Sequence, residues 1–469
     1  MSGSNLGRTA RSWWASSDRS ARGALVGGVG LTLALFGTSA VVWVSPELSP
    51  VTTVKQVTEA ITGSDRILDE RGQLLSQVVE LSSRLTAQAT ELESTESQLE
   101  STQGALETAR QQLASAQAKL DSASGTSPAK PGSKSPVAAP ITAPSKAELV
   151  APASPYFGMY TEQAPFNWAT MDATAAKIGG APSMVGYFSG WDEDFRDEAV
   201  TRSWQRGKLP MMTWESRPIG SANNVVDEPE YSLPRIIGGE FDDYLRGYAA
   251  DIVSTGMPLA IRLDHEMNGV WYPWSETTAG GFSLNGNSRG DYVAMWKHVH
   301  DIFEAAGAND YVIWVWAPNR VDNLPTALQT PERLASLYPG DDYVDWVGMS
   351  GYLRPPFDDA EEHTFDETFG ATLSQLRGLT SKPILLAEVG ASEIEGHKPG
   401  WIASFFQSLT AEENRDIIGF SWFSLAITTY VEGSRATNDW RIDSRDDSLA
   451  AFRTGLLAPG SRFDVRPVN

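Results

Sequence analysis

Pro258-Leu259-Ala260-Ile261-Arg262-Leu263-Asp264-His265-Glu266-Met267-Asn268-Gly269-Val270-Trp271-Tyr272-Pro273-Trp274 decides how the rest of this chain is read. A short apolar run, Pro258 to Ile261, gives way to an acid, an imidazole and an amide, and three aromatic rings follow within four residues. That order describes a buried strand whose C-terminal end opens into a polar pocket lined with rings. A pyranose offers hydroxyl edges to carboxylates and amides and flat C–H faces to indoles, so such a pocket suits carbohydrate chemistry.

Working outward, similar runs recur from residue 155 to 466. Strands are predicted at Tyr156 to Tyr160, Met184 to Phe188, Leu209 to Trp214, Leu259 to Asp264, Tyr311 to Trp316, Val344 to Met349, Pro383 to Ala387 and Ile417 to Phe423. Helical patterns fall between them, among others at Asp243 to Thr255, Asp291 to Ala306, Phe365 to Arg377 and Pro399 to Leu409. Alternation of this kind argues for parallel strands, and eight repeats in about 310 residues predict an α/β fold, a (β/α)8 TIM barrel. No glycine-rich phosphate loop follows any run, which argues against a nucleotide-binding sheet.

In such a barrel the reactive groups gather where the strands end. The residues closing the runs are Glu215, His265 with Glu266, Asn319, Tyr352, Glu388 and Trp422. Glu266 and Glu388 form the pair that can share one glycosidic bond. In a retaining hydrolase one carboxyl stays protonated to assist the leaving oxygen while the other attacks the anomeric carbon. A single glutamate at a strand end is more often a salt-bridged residue, and a tryptophan is more often core. Two glutamates, each closing an apolar run and accompanied by rings, are harder to explain that way. Trp271 and Trp274, lying beyond their strand, are expected to be sugar platforms.

At this point the chain resembles glycoside hydrolase family 26, a family of β-mannanases with some mixed-linkage β-glucanases and β-xylanases. The resemblance runs from Tyr156 to about Phe452. It is carried by Arg262 to Gly269 with Trp271 to Trp274, by Val312-Ile313-Trp314-Val315-Trp316-Ala317-Pro318-Asn319, by Tyr338 to Gly348, and by Lys382-Pro383-Ile384-Leu385-Leu386-Ala387-Glu388-Val389-Gly390. It implies Glu266 as acid/base and Glu388 as nucleophile of a double displacement. It also implies that His265 is the residue preceding the acid/base, that Trp271 lines the site at the cleaved sugar, and that Tyr352 hydrogen-bonds the nucleophile. Mannanases of the family often carry a histidine near the end of an early strand. Here the third run ends in Trp214-Glu215-Ser216 and no histidine precedes His265. A Trp-Glu pair at this place is similar to the β-glucanase branch.

The remainder of the chain reads as a mounting for that domain. Residues 1–22 carry Arg8, Arg11, Arg19 and Arg22 against Asp18, and Gly23 to Val44 follow without a charge. As a helix those 22 residues span about 33 Å, the thickness of a bilayer's hydrocarbon. A single-pass anchor with a cytoplasmic N-terminus and an external catalytic domain is expected; the alternative is a signal peptide cleaved near Thr38-Ser39-Ala40. Leu85, Leu92, Leu99, Leu106, Leu113 and Leu120 recur every seventh residue within 51–121. They describe either a coiled-coil stalk able to form a homo-oligomer or a solvated single helix. Residues 122–154, rich in Pro, Ser, Ala and Lys, are expected to be a disordered linker.

Composition narrows the partners. The chain has 469 residues, no cysteine, 16 Trp and a net charge of −22. Zero cysteine excludes disulfides, thiolate metal sites and a cysteine nucleophile. The acidic balance repels phosphate backbones, so no nucleic-acid partner is expected. Only five histidines occur, and His298 and His300 point to different faces of one predicted helix, so neither a metal nor a cofactor is expected. The sequence thus predicts a tethered endo-β-glycanase acting on a polysaccharide, with β-1,4-mannan first and β-1,3-1,4-glucan as the rival. A non-catalytic glycan-binding barrel is the alternative from another class.

Overall fold

The computed structural model describes residues 141–468, apart from 223–224, 356, 358–361 and 432–433. The basic segment 1–22, the membrane helix expected at 23–44, the stalk at 51–121 and the linker as far as 140 lie outside the described residues. Among the described residues no helix is long and apolar enough to cross a membrane.

Eight parallel strands follow one another in sequence order and close into a barrel. They are β1 (Tyr156–Tyr160), β2 (Met184–Gly190), β3 (Leu209–Glu215), β4 (Leu259–Leu263), β5 (Val312–Trp316), β6 (Trp346–Leu353), β7 (Ile384–Ala391) and β8 (Ile417–Phe423). The seam between β1 and β8 pairs Tyr156 with Gly419 through Tyr160 with Phe423. Gly419 is needed there, because a Cβ would lie 2.6 Å from the Tyr156 carbonyl oxygen. A short hairpin, β9 (Ala426–Val431) and β10 (Ser434–Asp439), leaves the barrel after β8.

The strands are buried on both faces, as expected where helices cover a parallel sheet. The covering helices supply one apolar face each. The helix Asp291–Ala306 buries Tyr292, Met295, Trp296, Val299 and Phe303, spaced three or four apart. Each such side chain stabilises the layer by about 2 kcal/mol before ordering entropy is subtracted.

Four strands, β2, β3, β6 and β7, outrun their apolar runs, the last two by the most. β6 and β7 continue to Leu353 and Ala391, with Ser350 paired to Glu388 and Gly351 to Val389. Tyr352 and Glu388 therefore sit on rigid strand backbone, although the runs that announce them stop earlier. The linker expected to reach Ser154 ends sooner. Lys146–Val150 form a helical turn capped by Ser145, whose hydroxyl accepts from Glu148 N while the Glu148 carboxylate accepts from Ser145 N. Leu149 is buried, Tyr156 Oη donates to its carbonyl, and Trp346 Nε1 donates to Val150 O, which fastens this turn where β1 and β6 begin.

Candidate active site

The site is built at the C-terminal ends of the strands, where a cleft of about 390 Å³ is lined by Glu266, Trp271, Tyr272, Tyr352, Glu388 and Trp440, among others. Its floor begins inside the barrel. Successive strand residues face opposite ways, so Thr213 of β3 and Arg262 of β4 point inward while Trp214 points out and stacks on Tyr248 at 4.4 Å. Arg262 is fully buried and spends its guanidinium on three strands. Nη1 donates to Glu388 Oε2 at 2.5 Å and toward Thr213 Oγ1 at 3.4 Å, and Nη2 donates to Ser350 Oγ. Burial works against the charge of Arg262, but Glu388, Tyr160 and Glu266 together more than offset it and raise the guanidinium's pKa.

Glu388 thus receives one bond from a fixed cation. It receives a second from Tyr352, whose hydroxyl donates to Oε1. Burial and the adjacent Glu388 push the Tyr352 phenol well above its ordinary range, so it stays a donor. Both bonds fix the position of the Glu388 carboxyl.

Glu266 is placed by an unusual stretch of backbone. Asp264 and Glu266 both adopt positive φ, 39° and 57°, on either side of His265. Side chains rarely tolerate this, at a penalty on the order of 1–3 kcal/mol each. The turn is held by Asp264 N donating to Trp214 O, Glu266 N to Ala317 O, and Gly269 N to Glu266 O. Ser216 adds two bonds of 2.7 Å, from its amide and its hydroxyl, to the carboxyl of Asp264. Burial nevertheless lifts Asp264 to about 7, against those bonds.

The Glu266 carboxyl, 6 % exposed, accepts from Trp271 Nε1 at 2.9 Å. Burial raises its pKa, Glu388 adds to the effect, and Arg262, Ser350 and Trp271 hold it back. The indole of Trp271 lies against Gly269, where a Cβ would come within 2.6 Å of the ring. A reciprocal amide pair then ties the β4 and β5 loops together, Asn268 Nδ2 donating to Asn319 O and Asn319 N to Asn268 Oδ1, both at 2.8 Å.

Of the residues expected in the site, Glu266, Glu388, Trp271, Tyr352 and Asn319 line one cleft. Glu215 and His265 are buried and are not among its lining residues. Glu215 is paired with Arg217 at 3.0 Å. His265 shares a hydrogen bond with Tyr272 Oη at 3.1 Å, and burial followed by Arg262 and Arg217 drives its pKa well below the ordinary value. The Glu215 carboxylate 3.8 Å from its Nδ1 therefore makes no ion pair with it.

Two expectations are corrected. Trp274 is fully buried; it stacks on Tyr272 at 4.5 Å and donates to His265 O, so it backs a lining ring instead of facing sugar. Trp422 is also buried, packed outward against Trp401, Phe405 and Phe452, because Ser421 and Phe423 are the inward residues of β8.

Reading the sequence missed Arg262 as counter-ion and Trp440 as cleft wall. The signal for Arg262 was present, an arginine within the apolar run of β4. Trp440 gave none, since it follows a hairpin and ends no barrel strand. Its ring packs on Tyr352 at 5.0 Å and Phe423 at 5.6 Å. Among the described residues no cluster of His, Asp and Glu is arranged to hold a metal ion.

Residues 209–392 match the family model described as glycosyl hydrolase family 26. The chain is 31% identical over 289 residues to Endoglucanase H of Acetivibrio thermocellus, covering 59% of this chain and 28% of that protein. It is 24% identical over 224 residues to a mannan endo-1,4-beta-mannosidase of Bacillus subtilis, covering 43% and 59%. The chain thus spans less than two thirds of the length of either relative. A solved Bacillus subtilis mannanase structure is similar at a TM-score of 0.44 and 18% identity, over 67% of this chain and 87% of that one.

Proposed function

We propose, because the chain belongs to glycoside hydrolase family 26, that it hydrolyses a β-linked polysaccharide by double displacement. Glu388 is the nucleophile and Glu266 the acid/base. The observation that carries this reading is the unequal treatment of the two carboxyls. Glu388 accepts from two fixed donors, Arg262 and Tyr352, while Glu266 is buried with one indole donor and has its pKa raised.

In the first step Glu388 attacks the anomeric carbon as Glu266 passes its proton to the departing glycosidic oxygen. The glycosyl ester on Glu388 is then opened by water, whose proton returns to Glu266, and the anomeric configuration is retained. Arg262 has no step of its own. It holds Glu388 in place and takes up the change in charge as the ester forms and breaks.

The substrate proposed first is β-1,4-mannan, supported by the mannan endo-1,4-beta-mannosidase relative. A second reading, a β-1,3-1,4-glucan, is favoured by the higher identity to a protein named as an endoglucanase and by the Trp214-Glu215-Ser216 strand end. The external, membrane-tethered placement is proposed from residues 23–44 and the arginines before them.

The test is a panel of mannan, galactomannan, lichenan and xylan with the intact chain, its E388Q variant and its E266Q variant. The parent is expected to release reducing ends from at least one polymer, with the first product in the β-configuration by NMR. E388Q should lose at least about a thousandfold while still being retained by that polymer. An α-configured first product, or full turnover by E388Q, defeats the mechanism. Retention without release by the parent points to the binding-only barrel.

A further inference from the structure

Lys398 lies outside the cleft, is not among its lining residues, and is completely buried. Its ammonium donates to Arg441 O at 2.7 Å, to Asp439 O at 3.1 Å and to Ser444 Oγ at 2.8 Å, with the Glu393 carboxylate 3.2 Å away as counter-charge. The two carbonyls flank Trp440. Residue 440 is itself pinned, its amide donating to Leu425 O and its carbonyl accepting from Trp422 Nε1 at 2.7 Å. The carbonyls of residues 439 to 441 are therefore all bonded, Lys398 reaching the two on either side of Trp440 and Ser444 adding donors to that of Arg441.

The consequence reaches the cleft through side-chain packing. The Trp440 ring lies against Tyr352, and Gly390 on β7 leaves room for both rings, since a Cβ there would meet Tyr352 at 2.7 Å and Trp440 at 3.1 Å. Tyr352 in turn donates to Glu388. We propose that Lys398 is a positioning residue, which sets the place of Trp440 as a wall of the cleft and, through that ring, the aim of the Tyr352 hydroxyl at Glu388. The proposal rests on the reading of Glu388 as nucleophile for its kinetic consequence, but not for its structural one. A buried ammonium suits the task because it has three donors and no acceptor, so it can gather two carbonyls and a hydroxyl at once. Methionine has nearly the same length and no donors, so Lys398→Met would take the ammonium away from both carbonyls, Arg441 O keeping only the Ser444 amide and hydroxyl as donors.

The test uses the intact chain labelled with 5-fluorotryptophan, the Trp440 resonance being assigned by its disappearance in W440F. In K398M that resonance is expected to move or broaden while those of Trp214 and Trp314, far from the knot, hold their shifts. kcat/KM should fall about tenfold or more, as misplacement of a site group by an ångström does. In a W440A background the same K398M change should cost less than about twofold, because its route to the site is already gone. If K398M does not fold, S444A removes one of the three bonds and should displace the resonance in the same direction by less. An unmoved Trp440 resonance in K398M or S444A overturns the proposal, as do losses that multiply in K398M/W440A. A parent chain that hydrolyses no glycan would sink the catalytic reading, and the fluorine spectrum would then decide the role of Lys398 alone.

Discussion

Asp264→Asn is expected to flatten the loss of stability that this chain suffers between pH 5 and pH 7. In the folded chain the Asp264 carboxyl is fully buried and burial lifts it from 3.8 to about 7, despite two bonds from Ser216. Below pH 3.8 both folded and unfolded chains carry the proton. As pH rises, the unfolded chain releases it first, and the folded chain's advantage is lost as pH passes through about 7. At roughly 1.4 kcal/mol per pH unit the whole interval is worth about 4 kcal/mol, of which about 2 kcal/mol falls between pH 5 and pH 7. Asparagine cannot titrate, yet it keeps Ser216 N as donor to Oδ1, and the Ser216 hydroxyl can turn to accept from Nδ2. The assay is guanidinium unfolding followed by circular dichroism at pH 5, 6 and 7 for parent and D264N. Glu215 and Glu266, also raised by burial, slope the same way, and His265, driven below its ordinary value, slopes the other way; these contributions are common to both proteins. The informative quantity is therefore the difference between the two curves. Parallel pH dependences would refute the reasoning, since they would mean that Asp264 is already ionised in its pocket.

The alkaline limb of kcat/KM should lie above the ordinary carboxylate range, because burial and Glu388 raise Glu266. Trp271→Phe removes a donor that holds Glu266 down, so it should move that limb to higher pH, and movement to lower pH would contradict the assignment. Arg262→Met strands Glu388 without its counter-ion and is expected to cost about 3–5 kcal/mol of stability and nearly all turnover; a melting temperature equal to the parent's would count against it. Trp422→Phe, which trims a ring packed behind β8 and removes the donor to Trp440 O, should lower the melting temperature, and a melting temperature equal to the parent's would count against its buried role.

Much of the barrel was legible because each strand is an apolar run closed by a polar residue. β1 and β8 begin and end where the runs do. The paired glutamates were legible for the same reason. What was hidden follows from burial on both faces. A strand covered by helices shows no alternation of polar and apolar residues, so the runs do not reveal which residues point inward, and Trp422 was assigned to the wrong side. Strand ends blurred where Ser350-Gly351 and Gly390 continue the pairing without apolar character. The turn at Lys146–Val150 was signalled by Ser145 and Glu148, a capping pair masked by its proline-rich surroundings. Arg262 and Lys398 act through fully buried charges, and a sequence shows a charge without showing what surrounds it.

The hairpin β9–β10 gives this molecule a division of inheritance. The two carboxyls belong to segments that the barrel must keep in order to close, since β4 and β7 pair on both sides. Trp440 arrives only after β8 has completed the ring, on a detour no barrel strand requires. Drift in the length or sequence of that detour can reshape one bank of the cleft while Glu266 and Glu388 stay where they are. On the proposed hydrolytic reading, chains sharing this barrel can diverge in the polymers they accept without relearning how to break the bond, and swapping the segment from Ala426 to Trp440 between two of them would exchange taste without exchanging chemistry.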